Sequence, residues 1–143
     1  MQKRVIAAFV LGLALIASRS FAKEAEDVAK AQKVATAWLT LMDAGKYGEG
    51  WDAAAAMFKN AIPRGNWDAA SKSARGPSGP LGALKGRKLK SASFTRTAPG
   101  APPGEYVIVL FNAQFERRPA GIEQITVAHE KDGSWKVAGY AIH

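Results

Sequence analysis

The spacing of apolar residues changes once along this chain, and that change sets the fold class. Up to about residue 74 apolar side chains recur at three- and four-residue steps, and from Arg87 onward they alternate. The first period belongs to helices with one buried stripe, the second to strands with one buried face. Helices first and strands afterwards predict an α+β domain, with N-terminal helices packed on one face of a sheet.

The helical half resolves into three segments. Val28, Ala31, Ala35, Trp38 and Met42 form a stripe that predicts a helix over 23–44, with Gly45 placed to end it in a left-handed cap. Tyr47, Trp51, Ala54, Ala55, Phe58 and Ile62 share a face of a second helix, closed by Pro63 and Gly65. Asn66 reads as the cap of a short third helix, Trp67 to Ala74. Residues 75–86 hold four glycines and two prolines and read as a connector.

Four strands are expected in the second half, at 88–97, 105–115, 123–130 and 135–142. Their connectors are short: a proline-rich loop at 99–104, a second at 117–121, and Lys131-Asp132-Gly133-Ser134 with the Asp-Gly signal of a tight hairpin. Such short loops cannot make parallel crossovers, so the sheet is a four-stranded antiparallel meander. The second strand is apolar on both faces, with Tyr106, Ile108 and Leu110 on one and Val107, Val109, Phe111 and Phe115 on the other. Helices can cover only one face, so the other is expected to line a pocket or meet a partner.

The start of the chain reads as an export leader. Met1-Gln2-Lys3-Arg4 is basic, Val5 to Ala17 is a run of 13 apolar or glycine residues, and Ser20-Phe21-Ala22 ends in small-x-small. Thirteen residues make a helix of about 20 Å, too short for a hydrocarbon core of ~30 Å. The expectation is a signal peptide, residues 1–22, followed by a single domain over 23–143. The cleaved product would carry no membrane anchor. It would reside in the periplasm of a Gram-negative bacterium or be secreted.

The chain has no cysteine. That excludes disulfides, a thiol nucleophile and cysteine-ligated metal sites. The net charge of +8 is uneven: between Lys59 and Arg96 stand nine basic residues and one acid, Asp68.

Several stretches resemble one family. They are Trp38-Leu39-x-Leu41-x-Asp43-x-Gly45-x-Tyr47, Trp51-Asp52-x-Ala54-Ala55-x-x-Phe58, Pro80-Leu81-Gly82 with Arg87, Pro99-Gly100-x-Pro102-x-Gly104-Glu105-Tyr106-Val107, and Asp132-Gly133-x-Trp135-x-Val137-Ala138-Gly139-Tyr140. Together they look like the bacterial exported proteins grouped as domain of unknown function 4019. The resemblance implies a small exported bacterial domain. It carries no agreed activity, so no residue inherits a role. The helix–strand order adds, by fold analogy alone, a cystatin-like or NTF2-like cone.

Few residues have the spacing of a chemical site. Asp43 and Tyr47 stand four apart at a helix end, where a carboxylate beside a phenol suits proton transfer; the plainer reading is a turn device with a core tyrosine. His129 shares a strand face with Ile125 and Val127 and reads either as a base in a pocket or as a packed imidazole at a strand end. It and the terminal His143 show no metal-ligand spacing. Asp52, beside Trp51, reads as a surface or capping carboxylate. Trp38 and Trp51 read as core, and Trp67, the least constrained, is the best candidate for an exposed aromatic. Lys85, Arg87, Lys88 and Lys90 surround a glycine-rich loop and form a speculative anion site, against the plainer reading of a solvated basic face. No phosphate-loop motif, nucleophile elbow or nucleic-acid module is present.

These observations favour a non-enzymatic envelope domain with no cofactor and no metal. It would bind a small molecule or protein partner on its sheet face, with a homodimer through the sheet as one form. The alternatives are a small acid–base enzyme using Asp43, Tyr47 or His129 in a cone-shaped pocket, and a polyanion binder using residues 59–96; nucleic acid is disfavoured. The leader gives the first test. Mass spectrometry of the exported product is expected to find Lys23 at its N-terminus, and an exported product still beginning at Met1 would contradict the reading.

Overall fold

Glycine and proline punctuation sets most of the boundaries between the eight elements. The computed structural model describes the backbone of residues 3–143 and the side chains from residue 20 on, so most of the expected leader lies outside the described side chains. Four helices come first: α1 (Lys3–Asp43), α2 (Tyr47–Asp52), α3 (Ala56–Ala61) and α4 (Arg64–Arg75). Four strands follow: β1 (Leu84–Thr95), β2 (Tyr106–Phe115), β3 (Arg118–His129) and β4 (Trp135–Ile142). They form one antiparallel sheet in the order β1-β2-β3-β4, with the helices packed on one face. This is the expected α+β meander.

Helix α1 ends in a Schellman motif. Lys46 N–H donates to Leu41 O at 2.9 Å, Gly45 N–H donates to Met42 O at 3.1 Å, and Gly45 is left-handed at φ +74°. The expected second helix, 47–62, is two helices. Ala55 is extended, and its N–H reaches Val137 O on the edge of β4 at 2.8 Å instead of continuing the helical ladder. The helix expected over Trp67–Ala74 is α4, and it starts at Arg64 behind an extended Pro63 instead of behind Asn66, because proline there pre-sets the entry without a side-chain cap. Two strands start earlier than expected. β1 takes Leu84–Gly86 from the connector by pairing with Gln114 and Phe115, and β3 takes Arg118–Gly121, leaving a turn at Glu116–Arg117.

The core lies between α1 and the sheet. Ala31 and Ala35 let the helix approach closely, and Trp38, Leu39 and Met42 pack on Val107, Val109, Phe111, Ile125, Val127 and Val137. Each large apolar side chain so buried contributes about 1.5–3 kcal/mol.

The opposite sheet face is partly sealed by the chain itself. The proline loop folds back on Tyr106, Ala98 and Ala128, with the Tyr106 hydroxyl donating to Pro102 O at 2.5 Å. Further along, Ile108, Leu110 and Ile122 are half-buried among Ser91, Ser93, Gln124 and Thr126. The uncovered part is therefore a mixed surface, smaller and more polar than the second strand alone suggested.

Three register shifts reset which side chains face the helices. In β1 an extra residue, Lys85, turns Arg87 and Leu89 inward, and Lys90 then turns Ala92 and Phe94 inward. In β4 the extra residue Ala138 moves the inward set from Val137 to Tyr140 and Ile142.

Candidate functional site

A carboxylate stands where the inward pattern of β3 calls for a hydrocarbon. Glu123 is in phase with Ile125 and Val127, lies opposite Phe111 and Ile142, and has no solvent exposure. Such a charge is stable only when paired and hydrogen-bonded. The β1 and β4 shifts bring its partners. Arg87 donates Nε–H to Glu123 Oε1 at 2.6 Å, and the Tyr140 hydroxyl donates to Glu123 Oε2.

The cluster extends to the helices. Arg75, in the last turn of α4, donates Nη1–H to the Tyr140 hydroxyl at 2.8 Å and stands 3.6 Å from Glu123 Oε2. It also donates Nη2–H to Asp43 Oδ1 at 2.5 Å. Arg87 presents both terminal nitrogens end-on to the same carboxylate, Nη1 to Oδ2 at 2.6 Å and Nη2 to Oδ1 at 2.9 Å. Two guanidinium groups thus balance two carboxylates. The side chain of Glu123 is 0 % exposed, Arg75 6 %, Arg87 15 % and Asp43 29 %, so Asp43 is the member nearest solvent.

The environment moves two of these groups. Burial works against the charge of Arg87, but the hydrogen bonds it donates to Asp43 and Glu123 outweigh it and hold the guanidinium even more firmly protonated than usual. Burial raises the Tyr140 phenol well above its ordinary value. The Glu123 carboxylate raises it further, against the opposing pull of Arg75.

Two hollows meet at Met42 and Arg75. One, of about 360 Å³, is a cleft whose walls include Asp43, Tyr47, Arg75, Leu84 and Phe115. The other, of about 190 Å³, is an apolar slot between Trp67, Ala70, Leu81, Tyr140 and Ile142. Asp43 and Tyr47 therefore share a cleft, as their spacing allowed.

His129 does not join them. It stacks on Trp135 at 4.7 Å, with Nδ1 at 3.1 Å from Glu105 and Nε2 at 3.2 Å from Gly133 O. That is the opposite end of the sheet, the length of the ten-residue β2 away, about 30 Å at ~3.4 Å per residue. His143 pairs through its backbone with Ile122. Among the described residues, no group of three or more His, Cys, Asp or Glu could hold a metal ion.

The basic segment disperses in three dimensions. Arg64 pairs with Asp52, Lys72 with Asp68, Arg96 with Glu24, and Lys59 lies over the Trp51 ring. Arg75 and Arg87 belong to the buried cluster, so Arg87 is not available as part of an open anion patch. Lys85, Lys88 and Lys90 are exposed on edge strand β1, two of them at its bulges, where lysine discourages pairing with another chain. Trp67 is not an exposed aromatic: its indole donates to Tyr47 O at 3.1 Å, and its ring packs on Phe58 and Trp38.

Sequence reasoning missed Arg75, Glu123 and Tyr140 as members of one site. For Glu123 a signal existed, an acid in phase with two inward apolar residues. Arg75 and Tyr140 gave none, since a helix-end arginine is ordinary and the inward aim of Tyr140 depends on the shift at Ala138.

A family model matches residues 34–140. The chain belongs to the family described as Protein of unknown function (DUF4019). The matched segment of this DUF4019 protein contains all five cluster residues and ends on Tyr140. Its Gly45, Gly82 and Gly133 take left-handed conformations, at φ +74°, +69° and +87°. At Gly82 an added Cβ would also stand 2.9 Å from Glu116 Cβ. No curated protein and no solved structure matches the chain.

The raised phenol gives a pH test. Above about pH 10 the unfolded tyrosine loses its proton while the folded one keeps it. Stability should therefore fall as pH rises through 10, by about 1.4 kcal/mol per pH unit from this residue. Denaturant titrations from pH 9 to 11 are expected to show a shallower decline in Tyr140→Phe; parallel declines would contradict the assignment.

Proposed function

We propose that this DUF4019 protein is an exported, non-catalytic binding domain whose ligand seat is the cleft beside Asp43 and Arg75. One observation carries the reading: buried Arg75 and the partly exposed Asp43 that it binds line one hollow together, and Arg87 grips the same Asp43 carboxylate. Concave sites that set a few convergent polar groups beside apolar side chains are where small ligands bind.

The basic, apolar, small-x-small start supports export, with residues 1–22 removed and the domain released into the periplasm. Among the described residues no helix is long and apolar enough to cross a membrane.

The same geometry weighs against acid–base chemistry. Asp43 has both oxygens engaged by guanidinium donors, Tyr47 stands beside it without a histidine, and His129 is at the far end of the sheet. A general base needs reach to its proton and a partner to pass it to. The polyanion reading is weakened because most of the basic segment is neutralised locally.

A second reading keeps the outer sheet face as a partner surface, possible as a homodimer seat, on the strength of half-buried Ile108, Leu110 and Ile122. A fragment screen by amide NMR separates the two. Hits are expected to move Met42, Tyr47, Ala83 and Phe115. Perturbation confined to Ile108, Leu110 and Ile122 would overturn the cleft in favour of the outer face, and silence at both would overturn both.

A further inference from the structure

The cleft already contains a carboxylate in the position a ligand would take. Asp43 is the last residue of α1, where the negative end of the helix disfavours an acid. It is held there by three N–H bonds from Arg75 and Arg87, two of them the end-on fork of Arg87. Glu123 cannot leave this cluster, having no exposure, whereas Asp43 is 29 % exposed and borders the cleft.

We propose that the ligand is a small monocarboxylic acid with an apolar body, and that its carboxylate replaces Asp43 on the Arg75–Arg87 fork. This rests on the cleft being the ligand seat. If Asp43 swings out, two buried guanidinium groups face one carboxylate, and an unmatched buried charge is strongly destabilising. A monocarboxylate restores the balance with the same planar, two-oxygen geometry. A phosphate dianion overshoots it, and an amine worsens it. Exchange of one carboxylate for another is close to neutral, so net affinity comes from the rest of the ligand. The apolar walls of the same cleft, Met42, Leu84 and Phe115, are the place for it.

The test is a titration of the purified chain at constant ionic strength with acetate, butyrate and hexanoate. Hexanol, hexylamine and inorganic phosphate serve as controls. Melting temperature and the Nε–H resonances of Arg75 and Arg87 are followed. The carboxylates are expected to stabilise saturably and to move both arginine signals, with affinity rising about fourfold per methylene while the cleft accepts them. The controls are expected to do no more than chloride. Asp43→Asn removes the internal competitor and should tighten acetate binding by roughly tenfold or more, while Arg87→Lys, which keeps the charge but loses the fork, should weaken it by a similar factor.

If Asp43→Asn does not fold, the arginine signals of the unaltered protein decide. Carboxylates no better than chloride, hexanol as tight as hexanoate, or unchanged acetate binding in a folded Asp43→Asn would each overturn the proposal. Neutral or cationic fragments seated in the cleft while every carboxylate is silent would overturn it and leave the cleft reading standing. An empty fragment screen removes both.

Discussion

A glutamate with no access to solvent must be matched before this sheet can pack. Glu123 lies on the inward face of β3, so its partners have to arrive from β1, β4 and the helix layer together. Arg87 and Tyr140 reach it from either side, Arg75 from above, and Asp43 balances the second arginine. The cluster thus fastens the end of α1, the end of α4 and three strands at one place. Buried ion pairs add little net stability compared with apolar packing, but losing one partner is costly. Their effect is to make alternative packings expensive, because a slip of one residue in β1 or β4 would point Arg87 or Tyr140 away from Glu123.

The irregularities of the sheet follow from the same requirement. Strict alternation through β1 would place Leu84, Gly86 and Lys88 inward, and through β4 it would place Val137, Gly139 and Ala141 inward. Single extra residues at Lys85 and Ala138 change the phase and deliver Arg87 and Tyr140. Gly139 follows the second bulge, with an added Cβ there in ordinary contact with Thr126. The cleft and the slot are consequences: four charges and a phenol cannot fill space as hydrocarbon does, and the polar seam meets solvent at Asp43.

Much of the fold was legible because it depends on period and punctuation. The stripe through Ala31, Ala35, Trp38 and Met42, the left-handed Gly45, and the Asp132-Gly133 hairpin follow from local chemistry. What could not be read depends on contacts between distant segments. The break at Ala55 exists because a strand edge offers Val137 O. The early start of β1 exists because Gln114 and Phe115 offer partners. The site was half legible: Asp43 beside Tyr47 was visible in spacing, and Arg87 was noticed for its charge. Their union with Arg75, Glu123 and Tyr140 required the bulges, and His129, equally suggestive in sequence, lies at the other end of the sheet.

The most direct test of the charge cluster is a double-mutant cycle on Arg87→Met and Glu123→Met, read by denaturant unfolding. Each single change leaves one unmatched charge, and each is expected to cost about 3–5 kcal/mol. The pair leaves Arg75 with Asp43, one charge against one. The double variant should then lose at least about 2 kcal/mol less than the sum of the singles. Additivity to within about 0.5 kcal/mol would mean the two side chains act independently, and would contradict the account.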